Sequence, residues 1–291
     1  MKENIEAVQK MQDYIETHIT EEISLAALSK VSHYSPWHSY RLFKELTGFS
    51  PADYIRQLKL SKSVIKLRDE DIKVTDVAYD LGFSSVDSYQ RAFKKEFSCN
   101  PKQYSKNPIP LSLFVPYGVK FKYLSKKEFY NMENINNVFI QVIEKPSRKV
   151  IIKRGIAADN YFDYCNEVGC NVWGILTSIK SISGEPVCLW LPEKFRDNNT
   201  STYVQGVEVA TDFDDDIPVG FDIIELPASK YLMFQGEPFA EEDYCEAIEL
   251  VQRSINSYNP STIGYEWDNQ NPRIQLEPIG SRGYIELRAI K

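Results

Sequence analysis

The sequence predicts a multidomain chain. Residues 1–108 read as an all-α double helix-turn-helix domain, 109–135 as a linker, and 136–291 as an α+β domain of two strand-strand-helix repeats. Three observations carry this. Val31–Lys44 recurs in altered form as Asp80–Lys94, pairing Arg41 with Arg91, Phe43 with Phe93, Pro51 with Pro101 and Tyr54 with Tyr104, each 50 positions apart. A second repetition, at a spacing of 81, pairs Pro146 with Pro227 and Gly155 with Gly236. Between the two, Asn107-Pro-Ile-Pro110, Pro116 and Gly118 interrupt any periodic pattern. A fixed spacing of this kind marks a duplicated supersecondary unit.

The elements follow in order. Ile5, Val8, Met11, Ile15 and Ile19 recur at helical spacing and predict an amphipathic first helix. Ser24 offers a cap for a short helix to Val31, and His33-Tyr-Ser35 a turn. Pro36 suits the first turn of the next helix, which stops at Gly48. Pro51 opens a long connecting helix that ends at Asp69-Glu-Asp71. The second unit runs Val74–Leu81, turns at Gly82-Phe-Ser84, and continues as a helix from about Ser85 to Phe97. In the last part, β-rich runs are predicted at Val138–Ile143, Lys149–Ile152, Val187–Leu191, Tyr203–Val209, Arg273–Glu277 and Gly283–Ile290. Leu226–Gly236 repeats Lys145–Gly155, and a helix follows each at Asp163-Tyr-Cys165 and Asp243-Tyr-Cys245. The expected result is an antiparallel sheet with two helices on one face.

Composition narrows the function. Apolar residues make up 43% and charged residues 26%, as in a globular protein. No run approaches the ~18 apolar residues that span a bilayer, so no membrane partner is expected. The first ten residues lack a leader's apolar core and read as helix. Five cysteines (Cys99, Cys165, Cys170, Cys188, Cys245) form no Cys-x-x-Cys pair, which suits a reducing, cytoplasmic setting. Three histidines stand apart from them, so neither metal nor cofactor is expected. No Ser–His–Asp pattern or phosphate-cradling glycine loop points to an enzyme, and no catalytic residue is assigned. The net charge of −7 is uneven: residues 1–108 hold 16 Lys+Arg against 15 Asp+Glu, and the rest 18 against 26. Local basic groups, not the global sum, set affinity for phosphates.

The second helix of each helix-turn-helix unit is the one that enters a major groove. Its inner face must pack: Leu42, Phe43 and Leu46 in one copy, Ala92, Phe93 and Phe97 in the other. Trp37, Tyr40 and Arg41, then Asp87, Ser88 and Arg91, are left to reach base edges. Arg41 and Arg91 can donate a bidentate pair to guanine or contact phosphate; Lys44 and Lys94 suit phosphates. The expected partner is therefore double-stranded promoter DNA, and two reading helices let a monomer bind it.

These residues resemble AraC/XylS transcriptional regulators, whose helical pairs are homeodomain-like. Trp37-His38, Arg41, Phe43-Lys44, Gly48, Ser50-Pro51 and Tyr54-Ile55-Arg56 look like that family's first motif. Val77-Ala78, Leu81-Gly82-Phe83, Tyr89, Phe93-Lys94, Pro101 and Tyr104 match its second. The resemblance spans about residues 4–106. It implies base contacts at Trp37, Tyr40, Arg41, Asp87, Ser88 and Arg91, with activation the commoner outcome and RNA polymerase a further partner to consider. Tyr40 departs from the family's frequent Gln, and Asp87 suits cytosine N4 while repelling phosphate.

Residues 136–291 are similar to GyrI-like effector-binding domains. That resemblance implies a groove between the two repeats for a small molecule, with a ligand-facing glutamate matched first by Glu277 and second by Glu286. Trp173, Trp190, Tyr203, Tyr231 and Trp267 supply aromatic surface. A carboxylate among aromatics can hold a lipophilic cation. Two other readings stand beside the sensor: hydrolysis with Glu277 as general base beside Tyr203 or Tyr231, and a protein-binding module. Asp212-Phe-Asp-Asp-Asp216 lacks calcium-loop spacing and reads as a solvated loop.

Overall fold

The computed structural model describes residues 2–120 and 137–291. The chain divides into two compact units, Met1–Lys127 and Glu128–Lys291.

The first unit is helical: α1 (Lys2–Thr17), α2 (Leu25–Ser32), α3 (Pro36–Thr47), α4 (Pro51–Asp69), α5 (Val74–Asp80), α6 (Val86–Phe97) and α7 (Pro101–Lys106). Short polar side chains start the helices. Ser24, Ser35, Ser50 and Ser85 each accept a backbone N–H from the first turn of the helix they cap. Pro36, Pro51 and Pro101 occupy first turns, where no N–H is missed. Gly48 and Ser98 end α3 and α6 at matching positions, with φ of +84° and +58°.

Two cores result. Ile5, Val8, Met11, Ile15, Leu28, Leu42, Phe43, Tyr54 and Leu58 form the first. Leu60, Val64, Leu67, Val77, Leu81, Tyr89, Phe93, Phe97 and Tyr104 form the second. Phe43 and Phe93 are fully buried at matching sites, each worth roughly 1.5–3 kcal/mol of transfer free energy. The helix α4 serves both cores: its first half buries Tyr54 and Leu58 in one, its second half Leu60, Val64 and Leu67 in the other.

Residues 109–120, read above as linker, are packed onto this unit. Leu111 and Leu113 enter the second core and Val119 the first. Ser61 Oγ accepts from Phe114 N (2.7 Å), and Gln12 Oε1 from Val119 N (2.8 Å). The prolines suppress helix as far as Gly118 and leave a strap whose apolar side chains still find the cores. The remaining linker residues, including the basic Lys122, Lys126 and Lys127, lie outside the described residues.

The second unit contains β1 (Phe139–Lys145), β2 (Arg148–Arg154), α8 (Tyr161–Val168), α9 (Asn171–Ser178), β3 (Pro186–Trp190), β4 (Tyr203–Val209), β5 (Asp222–Leu226), β6 (Ser229–Gln235), α10 (Tyr244–Ser257), β7 (Arg273–Gln275) and β8 (Ile285–Ile290). All strand pairs are antiparallel, in the order β1-β6-β8-β7-β3-β4-β2-β5. Exchanging β1–β4 with β5–β8 reverses this order onto itself, so the spacing of 81 is an internal two-fold. The repeat is longer than expected: strand-strand-helix is followed by two more strands. Two features differ from the sequence reading. Strand β5 was not predicted, because its exposed residues hide the pattern. The first repeat carries two short helices, divided at Gly169, whose φ is +87°.

The outer strands are exchanged. β1 leads into β2 yet pairs with β6, while β5 leads into β6 yet pairs with β2. The turns at Pro146 and Pro227 are where they cross, and Ser147 Oγ accepts from Ala228 N (3.1 Å) there. Alternation gives the sheet two faces. Ile151 joins Val172 and Leu176 beneath the helices, whereas its neighbours Val150 and Ile152 join a core on the other face.

Candidate nucleic-acid interface and ligand groove

In the helical unit the outward residues of α3 and α6 are free of the cores. Trp37 is 74% exposed, so it is no packing residue. Its ring lies nearly parallel to Tyr40 (9°, centroids 6.2 Å apart). Arg41 and Lys44 are exposed one turn on. His38, not among the predicted contacts, places Nδ1 3.4 Å from Arg41 Nη2; its i,i+3 spacing was the readable signal.

On α6, Asp87, Arg91 and Lys94 are exposed, as is Gln90 between them. Arg91 Nε donates to Asp87 O (3.3 Å), which aligns its side chain along the helix. Ser88 is spent differently. Its Oγ accepts from Ser85 N and donates to Ser85 O (2.7 Å), while Ser85 Oγ accepts from Ser88 N (3.1 Å). This reciprocal cap fixes the start of α6, and the hydroxyl must leave it to meet a base.

In the second unit, strand register builds a polar strip on the helix face of the sheet. Tyr203, Trp190 and Arg273 are register partners across β4, β3 and β7, and alternation from the Gln275–Glu286 pair sets Arg288 beside Arg273. The adjacent row is Gln205, Cys188, Gln275 and Glu286. Helices α8 and α9 cover one flank and α10 the other.

Glu286 is fully buried at the floor of this strip. Arg273 Nη2 donates to its Oε2 (2.7 Å) and Tyr284 OH to the same atom (2.8 Å). Arg288 Nη1 donates to Oε1 (3.2 Å), and Arg273 Nε sits 2.7 Å from that oxygen, at an angle outside hydrogen-bond geometry. The Arg273 guanidinium also covers the Trp190 ring, 3.7 Å from its centroid.

Glu277 lies further along the same face, half-buried. Burial and the like charge of Glu185 raise its carboxyl above the ordinary range, against the opposing pull of Arg282. Arg282 itself is clamped on Glu185 and on Glu277 O. Burial pushes the Cys188 thiol up to about 12, so it is no thiolate at neutral pH. Tyr203 is buried beside it, its proton held more tightly than usual by desolvation and then by that thiol.

The predicted groove residues therefore part company. Trp190, Tyr203 and Glu286 come together, with Glu277 along the strip. Tyr231 lies on the opposite face, in the core with Val150 and Leu287, because the pleat sends its neighbours Leu232 and Phe234 toward α10. It cannot partner Glu277, which removes one of the two tyrosines that the hydrolytic reading offered. Trp173 is buried within α9, and Trp267 packs with Phe234 at the outer side of the second repeat. Arg273 and Arg288 were missed; only the β7–β8 register reveals them.

Comparison with known proteins bears on the helical unit. A helix-turn-helix domain family model matches residues 28–107. The regulatory protein SoxS of Salmonella typhimurium is 32% identical over 97 residues, covering 33% of this chain and 91% of SoxS. The right origin-binding protein of Escherichia coli is 37% identical over 95 residues, 33% of each chain. The match thus spans about a third of that relative's length. Among solved structures, the C-terminal domain of the response regulator yesN from Fusobacterium nucleatum matches with 29% identity and a TM-score of 0.32, covering 33% of this chain and 93% of that one. Among the described residues no helix is long and apolar enough to cross a membrane.

Proposed function

We propose, from the premise that this chain belongs to the AraC family of sequence-specific DNA-binding transcriptional regulators, that α3 and α6 read a promoter while the second unit senses a small molecule. The observation that carries the first half is the matched pair of outward surfaces. Trp37, Tyr40, Arg41 and Lys44 on one helix, and Asp87, Arg91 and Lys94 on the other, stand on helices whose inner faces are locked by equivalent phenylalanines. The 19-residue α4 joins the two reading units. At 1.5 Å per residue it spans about 28 Å, which suits two major-groove entries roughly 34 Å apart. One chain then carries both reading helices and binds as a monomer, with activation the outcome favoured by the resemblance.

The sensor half rests on the polar strip of the second unit, similar in layout to GyrI-like domains. Its partly exposed Trp190, Arg273 and Arg288 are supported from below by a buried carboxylate, and helices flank them on both sides.

Arg41→Ala is expected to weaken binding at one base position by about 1–3 kcal/mol, roughly 5- to 150-fold, and to leave folding intact because the side chain is exposed. Fluorescence anisotropy against a set of single-base operator variants at fixed salt checks this. A uniform loss across all variants would make Arg41 a phosphate contact; no loss would remove α3 from the groove.

A further inference from the structure

We infer that the strip of the second unit recognises an organic anion, an aromatic carboxylate, and not the lipophilic cation that a carboxylate among aromatics first suggests. This rests on the sensor reading above and gives its ligand a charge.

The acceptor side is full. A carboxylate offers about four lone-pair positions. Those of Glu286 face Tyr284 OH, Arg288 Nη1 and two nitrogens of Arg273. An incoming cation finds no open acceptor there. The aromatic side is also taken, because a guanidinium already covers Trp190 at 3.7 Å. The protein's own Arg273 thus stands where a cationic ligand would sit. Displacing it would leave a charged group without its partner in a partly buried place, a costly exchange.

The donor side is open. A guanidinium has five N–H groups; Arg273 spends one hydrogen of Nη2 on Glu286, and its Nε is buried against the same carboxylate. Arg288 spends one hydrogen of Nη1. Arg273 Nη1 and Arg288 Nε and Nη2 make no hydrogen bond to a described residue. The two arginines sit side by side in register, partly exposed, and with Glu286 they carry a net charge of +1. Planar N–H forks of this kind match a carboxylate bidentately. The guanidinium planes, one of them backed by Trp190, offer an aromatic ring a surface to stack on. The competing acids are set apart. Glu185 is held by Arg282, and Glu277 lies four residues from Arg273, on the order of 13 Å at strand rise.

The test uses the full chain and three probes of one size: 2-naphthoate, (2-naphthylmethyl)trimethylammonium and neutral 2-naphthalenemethanol, titrated by calorimetry and by thermal shift. Naphthoate is expected to bind at least tenfold more tightly than the other two. Arg273→Gln and Arg288→Gln should each weaken it about tenfold or more. Arg288→Gln leaves Arg273 and Tyr284 on Glu286, so it remains informative if Arg273→Gln fails to fold. Preference for the ammonium, parity of the alcohol with the acid, or naphthoate binding unmoved by both substitutions overturns the anion assignment while the sensor reading stands. No binding of any probe overturns both.

Discussion

Glu208→Ala is expected to destabilise the second unit by about 3–5 kcal/mol. Glu208 is fully buried, as is its partner Arg148. Arg148 Nε donates to Glu208 Oε1 (2.5 Å), and Lys145 Nζ to Oε2 (2.6 Å). Arg148 Nη1 also donates to Pro146 O (3.0 Å). Lys145 ends β1 and Arg148 begins β2, so Glu208 on β4 holds both sides of the turn where the exchanged strand crosses. Removing it leaves a guanidinium buried without its counter-charge. Three of the four tryptophans, Trp173, Trp190 and Trp267, belong to this unit. Urea unfolding followed by tryptophan emission therefore reports mainly on it. A loss under 1 kcal/mol would mean that solvent reaches Arg148 and that the crossing is held by the sheet alone.

The same group sets a pH dependence. Burial alone would raise the Glu208 carboxyl, but the charges and hydrogen bonds of Lys145 and Arg148 outweigh it and hold the group below its ordinary value. A depressed folded-state value means that the stabilisation is fully present above the unfolded carboxyl, about pH 4.3, and is lost as pH falls through the lower folded value. The acid limb of the stability profile should flatten in Glu208→Gln.

How much of this was legible follows from the range of each interaction. The helix-turn-helix units were readable because their determinants are local. Capping serines, first-turn prolines and buried phenylalanines all act within a few residues, and the spacing of 50 doubled each signal. The groove was not readable in the same way. Whether Tyr231 faces α10 or the other core depends on the pleat of β6. Whether Arg273 meets Glu286 depends on which strand lies beside β7. The strand exchange sets β1 against β6, about ninety residues along the chain. Sequence repetition showed that two halves exist, but not that each lends its edge strand to the other. The strap at 109–118 was misread for a related reason: its prolines excluded helix, and irregular packing against distant cores leaves no periodic trace.

Gly82→Ala is expected to impair DNA binding by at least tenfold, through geometry and not through any lost contact. Gly82 adopts φ +65°, which costs an L-residue about 1–2 kcal/mol. A Cβ there would also meet Thr20 O at 2.6 Å and Lys59 Nζ at 3.0 Å. Lys59 Nζ donates to Glu21 O (3.0 Å), so the turn of the second reading unit rests on the α1–α2 loop of the first. Clearing a backbone oxygen at that distance forces the two units apart by several tenths of an ångström. That displaces α6 relative to α3, and paired major-groove contacts tolerate little change in their separation. Gly48→Ala is the matched control. Gly48 has φ +84° but nothing within 4 Å of the added Cβ, so it bears the backbone cost without the clash. Calorimetric unfolding should show similar losses near 1–2 kcal/mol from the backbone in both variants, with more in Gly82→Ala. Only Gly82→Ala should lose affinity for a full-length operator out of proportion to its stability. Equal effects of the two substitutions on DNA affinity would mean that the Thr20 contact does not set the spacing of the reading helices.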